Sequence, residues 1–195
     1  EDVRAFARYA AYETILSGTG MVWDHYYHGE ALANGLADAG LPAVIAPTLQ
    51  DIHGPGVKDL DAQLNATASL DTEAWRRKGI FSSLGPHATD TVSDSLWRMV
   101  IDMAEKRQLP IHVHVSQSPE EYERLMDRAG QSPIQFLKSR GVVDAQVAKL
   151  FVHGLYASAD DLSVLSDQDV VLGYCPFSQV QFGFPAHVEN WAKHG

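Results

Sequence analysis

Apolar positions along this chain fall into two alternating patterns: short continuous runs, and longer stretches with helical spacing. The short runs, each rich in apolar residues and bounded by turn formers, predict strands near 21–23, 41–46, 80–84, 109–115, 149–153 and 169–174. Helical spacing predicts helices over 3–16, 29–39, 71–77 and 93–107, two short helices after Ser118, one after Ser158 and a last one near 186–194. Strand and helix therefore alternate along the whole sequence.

This alternation favours a parallel sheet, because the predicted strands are continuously apolar and so are suited to burial on both faces. An open doubly wound sheet and a (β/α) barrel both satisfy the pattern. No glycine-rich phosphate loop follows the first strand, which leaves a dinucleotide-binding fold without support. Residues 47–67 have no clear period and contain Gly54, Pro55 and Gly56, which predicts a long loop of the kind that is more often functional than idle.

Two helix starts are marked by capping residues. Ser118 is placed to cap a helix that begins with Pro119, and Glu121 stands where a capping box needs an acidic side chain. Ser158 and Asp161 repeat the same arrangement further along the chain.

Composition narrows the functional class. The chain has 195 residues, 45% of them hydrophobic, and a net charge of −10, which suits one globular domain and disfavours nucleic acid or an anionic membrane as a partner. Cys175 is the only cysteine, so neither a disulfide framework nor a thiolate zinc site is expected. A reducing, cytoplasmic location fits this cysteine content, and no long apolar run predicts a membrane span.

Histidines supply the candidate chemistry. Four of them lie at the carboxyl ends of predicted strands, the end where parallel α/β folds build their sites: His87, His112, His114 and His153. Because side chains alternate along a strand, His112 and His114 share one face, opposite Ile111, Val113 and Val115. Secondary pocket candidates are Asp24 and His25, predicted to follow the first strand, and His53 in the long loop.

At these residues the sequence resembles a known family. The segments GPHATDTVSDSLW (85–97), LPIHVHVSQSPEE (109–121), FVHGLYASADDLSVL (151–165) and GYCPFSQ (173–179) resemble successive strand-and-loop motifs of the amidohydrolase superfamily. The nearest branch holds cytosine and guanine deaminases, adenosylhomocysteine deaminases and triazine chlorohydrolases. The segment 17–47 resembles an earlier region of the same proteins, so the likeness covers essentially the whole chain.

The resemblance implies roles for individual residues. His114 matches the metal-ligand histidine, and His153 matches the catalytic histidine that faces the metal-activated water and the substrate. His87 matches a histidine that contacts the substrate, His112 supports the substrate side of the site, and Tyr174 stands in the pocket wall where a histidine is common. No lysine lies in the fourth strand to bridge two metals, so the resemblance implies one divalent ion, Zn²⁺ or Fe²⁺.

Gln117 departs from the family pattern, which places an acid/base glutamate three residues after the metal histidine. An amide does not titrate near neutral pH, so Gln117 could contribute to catalysis only by orienting water or substrate through hydrogen bonds. Three alternatives follow: His153 carries the proton, the reaction needs less acid/base help, or the site is inactive.

The implied fold is a TIM-like (β/α)8 metal-dependent hydrolase barrel, of which 1–195 would be a single-domain central fragment with about strands two to seven. The first strand with its His-x-His motif, the last strand with its aspartate and the N-terminal β-sandwich would then be absent. The implied activity is hydrolytic deamination or dechlorination of a purine, pyrimidine or triazine-like heterocycle by a homo-oligomeric protein. Cyclic amide hydrolysis on the same barrel and non-catalytic ligand binding are the alternatives.

Overall fold

The structure, a computed structural model, describes residues 1–184 and 187–194. These residues fall into two compact units. One comprises Glu1–Leu49 and Pro55–Gly85, and the other comprises Gln50–Gly54 and the described residues from Pro86 onward.

The first unit is a parallel sheet covered by helices. Its elements in chain order are α1 (Asp2–Leu16), β1 (Val22–Tyr26), α2 (Gly29–Ala39), β2 (Ala43–Leu49), α3 (Leu60–Leu70), α4 (Glu73–Arg76) and β3 (Ile80–Ser82). Strands β1, β2 and β3 are parallel in that order, with Val22 beside Ala43 and Ala43 beside Ile80. Leu36 of α2 and Leu70 of α3 pack with Ile45 and Ile80 in one apolar core, which buries the strands that the continuous apolar runs predicted.

Close contact between α1 and α2 depends on a glycine. Gly35 lies on α2 where a Cβ atom would stand 2.5 Å from the backbone oxygen of Arg4 and 2.7 Å from the Cβ of Ala7. Real Cβ atoms do not approach this closely, so the two helices meet at this distance only because residue 35 has no side chain.

Gly35→Ala is therefore expected to lower the free energy of unfolding by about 1–3 kcal/mol, the usual cost of overpacking, although alanine is the better helix former. Gly20→Ala is the matched control, because a Cβ at Gly20 would meet nothing within 4 Å. Urea unfolding of both variants measures the difference. Equal stability of the two variants would contradict the packing argument.

The second unit repeats the strand–helix alternation. After the short β4 (Gly85–Pro86) at its boundary come α5 (Asp94–Arg107), β5 (Ile111–Val115), α6 (Pro119–Ala129), α7 (Pro133–Ser139), β6 (Lys149–His153), α8 (Ala159–Leu165), β7 (Val170–Gly173), α9 (Pro176–Phe182) and α10 (Val188–Ala192). Strands β5, β6 and β7 are parallel in that order, with His114 beside Val152 and Val152 beside Gly173.

Serine caps define where four helices of this unit begin. The side chains of Ser93, Ser118, Ser132 and Ser158 each accept a hydrogen bond from a backbone N–H three residues ahead. The capping box predicted at Ser158 and Asp161 is present. The caps at Ser118 and Ser158 were predicted, because a cap depends on local sequence, and those at Ser93 and Ser132 were not.

The predicted parallel α/β architecture is thus confirmed in both units, and several local predictions were wrong. The long loop predicted over 47–67 is shorter, because β2 runs to Leu49 and α3 begins at Leu60. The sequence LDAQLNATASL of α3 has few large apolar residues and buries only Thr67 and Leu70, so it lacks a clear helical period. The seven-residue helix α9 was also not predicted.

The predicted position of Asp24 and His25 also needs correction. Asp24 and His25 lie within β1 rather than after it, because the strand extends to Tyr26.

Within the described residues, no helix is both long enough and apolar enough to cross a bilayer.

Candidate functional site

Strand β5 carries two histidines to one end of the second unit's sheet. Ile111, Val113 and Val115 on one face are completely buried, as expected for the face that packs against helices. His112 is buried and His114 is half-buried on the opposite face. The alternation that the sequence predicted for this strand is therefore present.

Four histidines from three segments meet at this end and form what we call the imidazole cluster. The ring of His114 lies at its centre, with ring centroids 5.4 Å from His87, 6.0 Å from His112 and 5.4 Å from His153. The structure thus brings together every histidine that the sequence placed at a strand end, although they span residues 87 to 153 of the chain.

Burial keeps the cluster neutral. Burial, followed by the charges of His87, His153 and His112, lowers the pKa of His114 to about 3. Burial, followed by His153, lowers the pKa of His112 to about 4. Burial also lowers the pKa of His87 and His153. Near neutral pH each ring therefore keeps an unprotonated nitrogen, the form in which imidazole binds a metal or accepts a proton.

His153 has an unusual backbone at the end of β6. Its φ angle is 87°, in the region that side chains rarely adopt, and Gly154 follows with φ 59°. The turn is held because the Gly154 N–H donates to the carbonyl of Val115 over 2.9 Å and the Tyr156 N–H donates to that of Ser116 over 3.1 Å. A strained residue kept in place by neighbouring segments is a frequent feature of functional sites.

His87 is fixed to β5 through its backbone. The N–H of His114 donates to the carbonyl of His87 over 3.0 Å, and Ala88 forms a parallel bridge with His114. The His87 ring nitrogen Nδ1 lies 3.0 Å from the Thr91 hydroxyl. His87 is therefore oriented from both its main chain and its ring.

Gln117 follows β5 along the chain, and its backbone is held by a buried carboxylate. The Gln117 N–H donates to Glu121 Oε2 over 2.8 Å, and the Thr89 hydroxyl donates to Glu121 Oε1 over 2.5 Å. Glu121 is only 3% exposed, and burial raises its pKa to about 7 despite both hydrogen bonds.

The role of Glu121 was missed at the sequence level. We predicted that its side chain would complete a capping box at Ser118, but the structure shows it turned toward Gln117 and Thr89 instead. Ser118 still accepts from the Glu121 N–H. The available signal was an acidic residue in the first helical turn directly after a histidine-bearing strand, which also suits a cap.

The remaining candidates lie apart in sequence and setting. Tyr174 follows β7, is about two-fifths exposed, and packs its ring against Trp191 at 6.2 Å between centroids. His53 lies 4.0 Å from the carboxylate of Asp90, within the same unit. Asp24 belongs to the first unit, where burial raises its pKa. The assignment of Tyr174 to the pocket wall stays a prediction.

The donor chemistry suits zinc in part. Neutral imidazole nitrogens are zinc ligands, and the cluster offers them around His114. Across residues 1–184 and 187–194, however, no group of three or more His, Cys, Asp or Glu side chains is placed to hold a metal ion. The described residues therefore do not supply a complete ligand set for a metal ion.

Comparisons with known proteins show which family the chain matches. The model of the amidohydrolase family matches residues 1–181. A 5-methylthioadenosine/S-adenosylhomocysteine deaminase of Aquifex aeolicus is 29% identical over 184 residues, covering 94% of this chain and 42% of that protein.

Solved structures share the fold. A zinc-bound adenosine deaminase from Xanthomonas campestris superposes with a TM-score of 0.82 at 21% identity, over 98% of this chain and 42% of the other. A Glu-to-Gln variant of an Arthrobacter aurescens atrazine chlorohydrolase, complexed with zinc and atraton, gives 0.84 at 18% identity, over 99% and 47%. This chain thus spans less than half the length of each of these relatives.

Proposed function

We propose that this chain, which belongs to the amidohydrolase family, is the central part of a metal-dependent aminohydrolase that deaminates a purine-type heterocycle. The imidazole cluster carries the proposal, because four histidines from three segments converge at one end of a parallel sheet, with His114 at their centre. Imidazoles with perturbed pKa values that are gathered at one end of a parallel sheet are candidates for a functional site.

The family relatives support the reaction class. The Aquifex relative is named as a deaminase of 5-methylthioadenosine and S-adenosylhomocysteine, and the Xanthomonas structure is named as an adenosine deaminase with zinc. In such a deamination, water supplies the oxygen that replaces the ring amino group, and ammonia leaves. The name of the atrazine chlorohydrolase suggests an analogous reaction, in which chloride rather than ammonia leaves a triazine ring.

We assign the residue roles as follows. His114 would hold one divalent ion, Zn²⁺ or Fe²⁺, together with ligands from outside the described residues. When bound, such an ion lowers the pKa of its water and so makes a nucleophile available near neutral pH. His153, neutral at the end of β6, would accept and return the proton, while His87, His112 and Tyr174 would contact the substrate.

Gln117 sets the main condition on this proposal. Its backbone is anchored by Glu121, so its amide can orient substrate or water at a defined position. It cannot exchange a proton as a carboxylic acid would. This observation also favours a second candidate function, a relative that binds the heterocycle without converting it.

The experiment is to load the full-length protein with zinc and to measure ammonia release from 5-methylthioadenosine, S-adenosylhomocysteine, adenosine and guanine, and chloride release from atrazine. Turnover of any purine substrate that depends on zinc is the expected result. Binding of these compounds without turnover would overturn catalysis in favour of the second candidate.

Gln117→Glu separates an adapted site from a degenerate one. If the native protein converts a substrate, its site is adapted to glutamine at position 117, and the Gln117→Glu variant is expected to lose activity. If the native protein is inactive and the variant gains about 10²–10⁴-fold over background, the range that general acid/base catalysis contributes, the site is degenerate. Asn190→Asp, a similar amide-to-acid change on the exposed α10, is the control and should alter neither result.

The larger arrangement is proposed on the same basis. In the whole protein, the strands of both units would be about strands two to seven of a TIM-like (β/α)8 barrel, within one domain. The predictions that the protein is homo-oligomeric and cytoplasmic remain predictions.

A further inference from the structure

Helix α6 uses one stripe of its surface to hold the segment that carries His87. Glu121, Arg124 and Arg128 lie three and then four residues apart, so they project from the same side of the helix. All three side chains reach residues 89–92, the segment that directly follows His87 and Ala88.

Each contact of this stripe is a directed hydrogen bond. Glu121 Oε1 accepts from the Thr89 hydroxyl over 2.5 Å. Arg124 Nε donates to Asp90 Oδ2 over 2.7 Å. Arg128 Nη2 donates to the carbonyl of Thr89 over 3.1 Å. Three hydrogen bonds from one helix to Thr89 and Asp90 restrict the movement of this loop relative to that helix.

Glu121 differs from the two arginines because it also contacts the segment after β5 that contains Gln117. Its second oxygen accepts from the N–H of Gln117 over 2.8 Å. Ser116, the residue before Gln117, has a positive φ angle of 51°. The chain therefore leaves β5 through a backbone conformation that residues other than glycine rarely adopt. The carboxylate therefore stabilises a strained turn on one side and the His87 segment on the other.

We propose that Glu121 is a positioning residue that sets the relative position of Gln117 and His87 across the imidazole cluster. This inference rests on the proposed function, in which both residues face the substrate. Glu121 is not itself catalytic, since its two oxygens are occupied by Thr89 and Gln117. It acts through them.

Three substitutions should remove different numbers of the hydrogen bonds that Glu121 forms with Thr89 and Gln117. Glu121→Ala leaves the buried Thr89 hydroxyl and the part-buried Gln117 N–H without their acceptor, and unpaired groups of this kind are costly. Glu121→Gln retains an oxygen for the Gln117 N–H and offers an amide N–H to the Thr89 hydroxyl, which can accept as well as donate. Glutamine should therefore rescue most of what alanine loses. Thr89→Val removes only one of the two bonds.

The test uses the full-length protein and two kinds of measurement. Amide hydrogen exchange at Gln117 should accelerate about tenfold or more in Glu121→Ala, because that N–H loses its acceptor. The imidazole ¹⁵N resonances of His87 should shift in the same variant. In the deamination assay kcat should fall about 10–100-fold, the usual effect of a supporting residue, with KM changed less than kcat. Glu123→Ala, exposed on the same helix, is the control and should change none of these values.

The outcomes separate this inference from the proposed function. Native protein without any deamination would overturn the proposed function, while exchange and ¹⁵N spectra would still decide the role of Glu121. Unchanged exchange at Gln117 in Glu121→Ala overturns the inference. So does faster exchange with unchanged His87 resonances and kcat, because Glu121 would then serve stability alone. If Glu121→Ala does not fold, Thr89→Val and Glu121→Gln decide the question. The His87 resonances should shift in Thr89→Val and should stay near their native positions in Glu121→Gln.

Discussion

His114→Ala in the full-length protein is expected to abolish stoichiometric metal binding and to lower kcat/KM for deamination by about 10³-fold or more, equivalent to about 4 kcal/mol of transition-state stabilisation. The reason is positional. His114 lies at the centre of the imidazole cluster, within 5.4–6.0 Å of three other rings, and burial keeps it unprotonated.

Elemental analysis of the purified variant measures the metal, and the ammonia-release assay measures kcat/KM. His187→Ala provides the control, because His187 is exposed and its side chain forms no cap at the start of α10. Full zinc occupancy in His114→Ala would show that the metal is held elsewhere, and the assignment of His114 as a ligand would be wrong.

Phe136→Ala is expected to cost about 3–5 kcal/mol of folding free energy, the range for removing a buried phenylalanine. The Phe136 side chain is completely buried, and its ring centroid lies 4.8 Å from the guanidinium of Arg128 and 4.5 Å from that of Arg140. Removing the ring therefore leaves a cavity and also deprives two cations of their aromatic contact.

Urea unfolding of Phe136→Ala and Phe177→Ala measures this loss against a matched control. Phe177 is 80% exposed, so its truncation should change the free energy of unfolding by less than about 0.5 kcal/mol. Because Arg128 also grips the carbonyl of Thr89, Phe136→Ala should loosen residues 89–92 as well. Similar stability of the two variants would contradict the packing that the structure shows around Phe136.

Much of the site could be predicted because its residues follow local rules. His112 and His114 were placed on one face by strand periodicity alone, and β6 begins and ends where its apolar run predicted, at Lys149 and His153. The caps at Ser118 and Ser158 could be predicted for the same reason, since the capping side chain and the N–H that donates to it are only three residues apart.

Prediction failed where the deciding contacts are distant in sequence or where the pattern is weak. Helix α3 is rich in small and polar residues, so no apolar stripe marked it, and it is buried only through Thr67 and Leu70. Glu121 was assigned to its own helix start because a capping box is a local interaction. Its observed partner Thr89 lies 32 residues earlier in the chain, and no local pattern indicates that contact.

The sequence by itself thus determined the strand–helix alternation apart from α3 and α9, the buried face of β5, the family resemblance and the identity of the histidines. These depend on periodicity, capping and motif spacing, which extend over a few residues. Only the tertiary structure decided that His87, His112, His114 and His153 share one cluster and that α6 binds the His87 segment through Glu121, Arg124 and Arg128. The physical reason is that these contacts join segments far apart in the chain, and their geometry follows from how strands pair and helices pack rather than from the residues next to them.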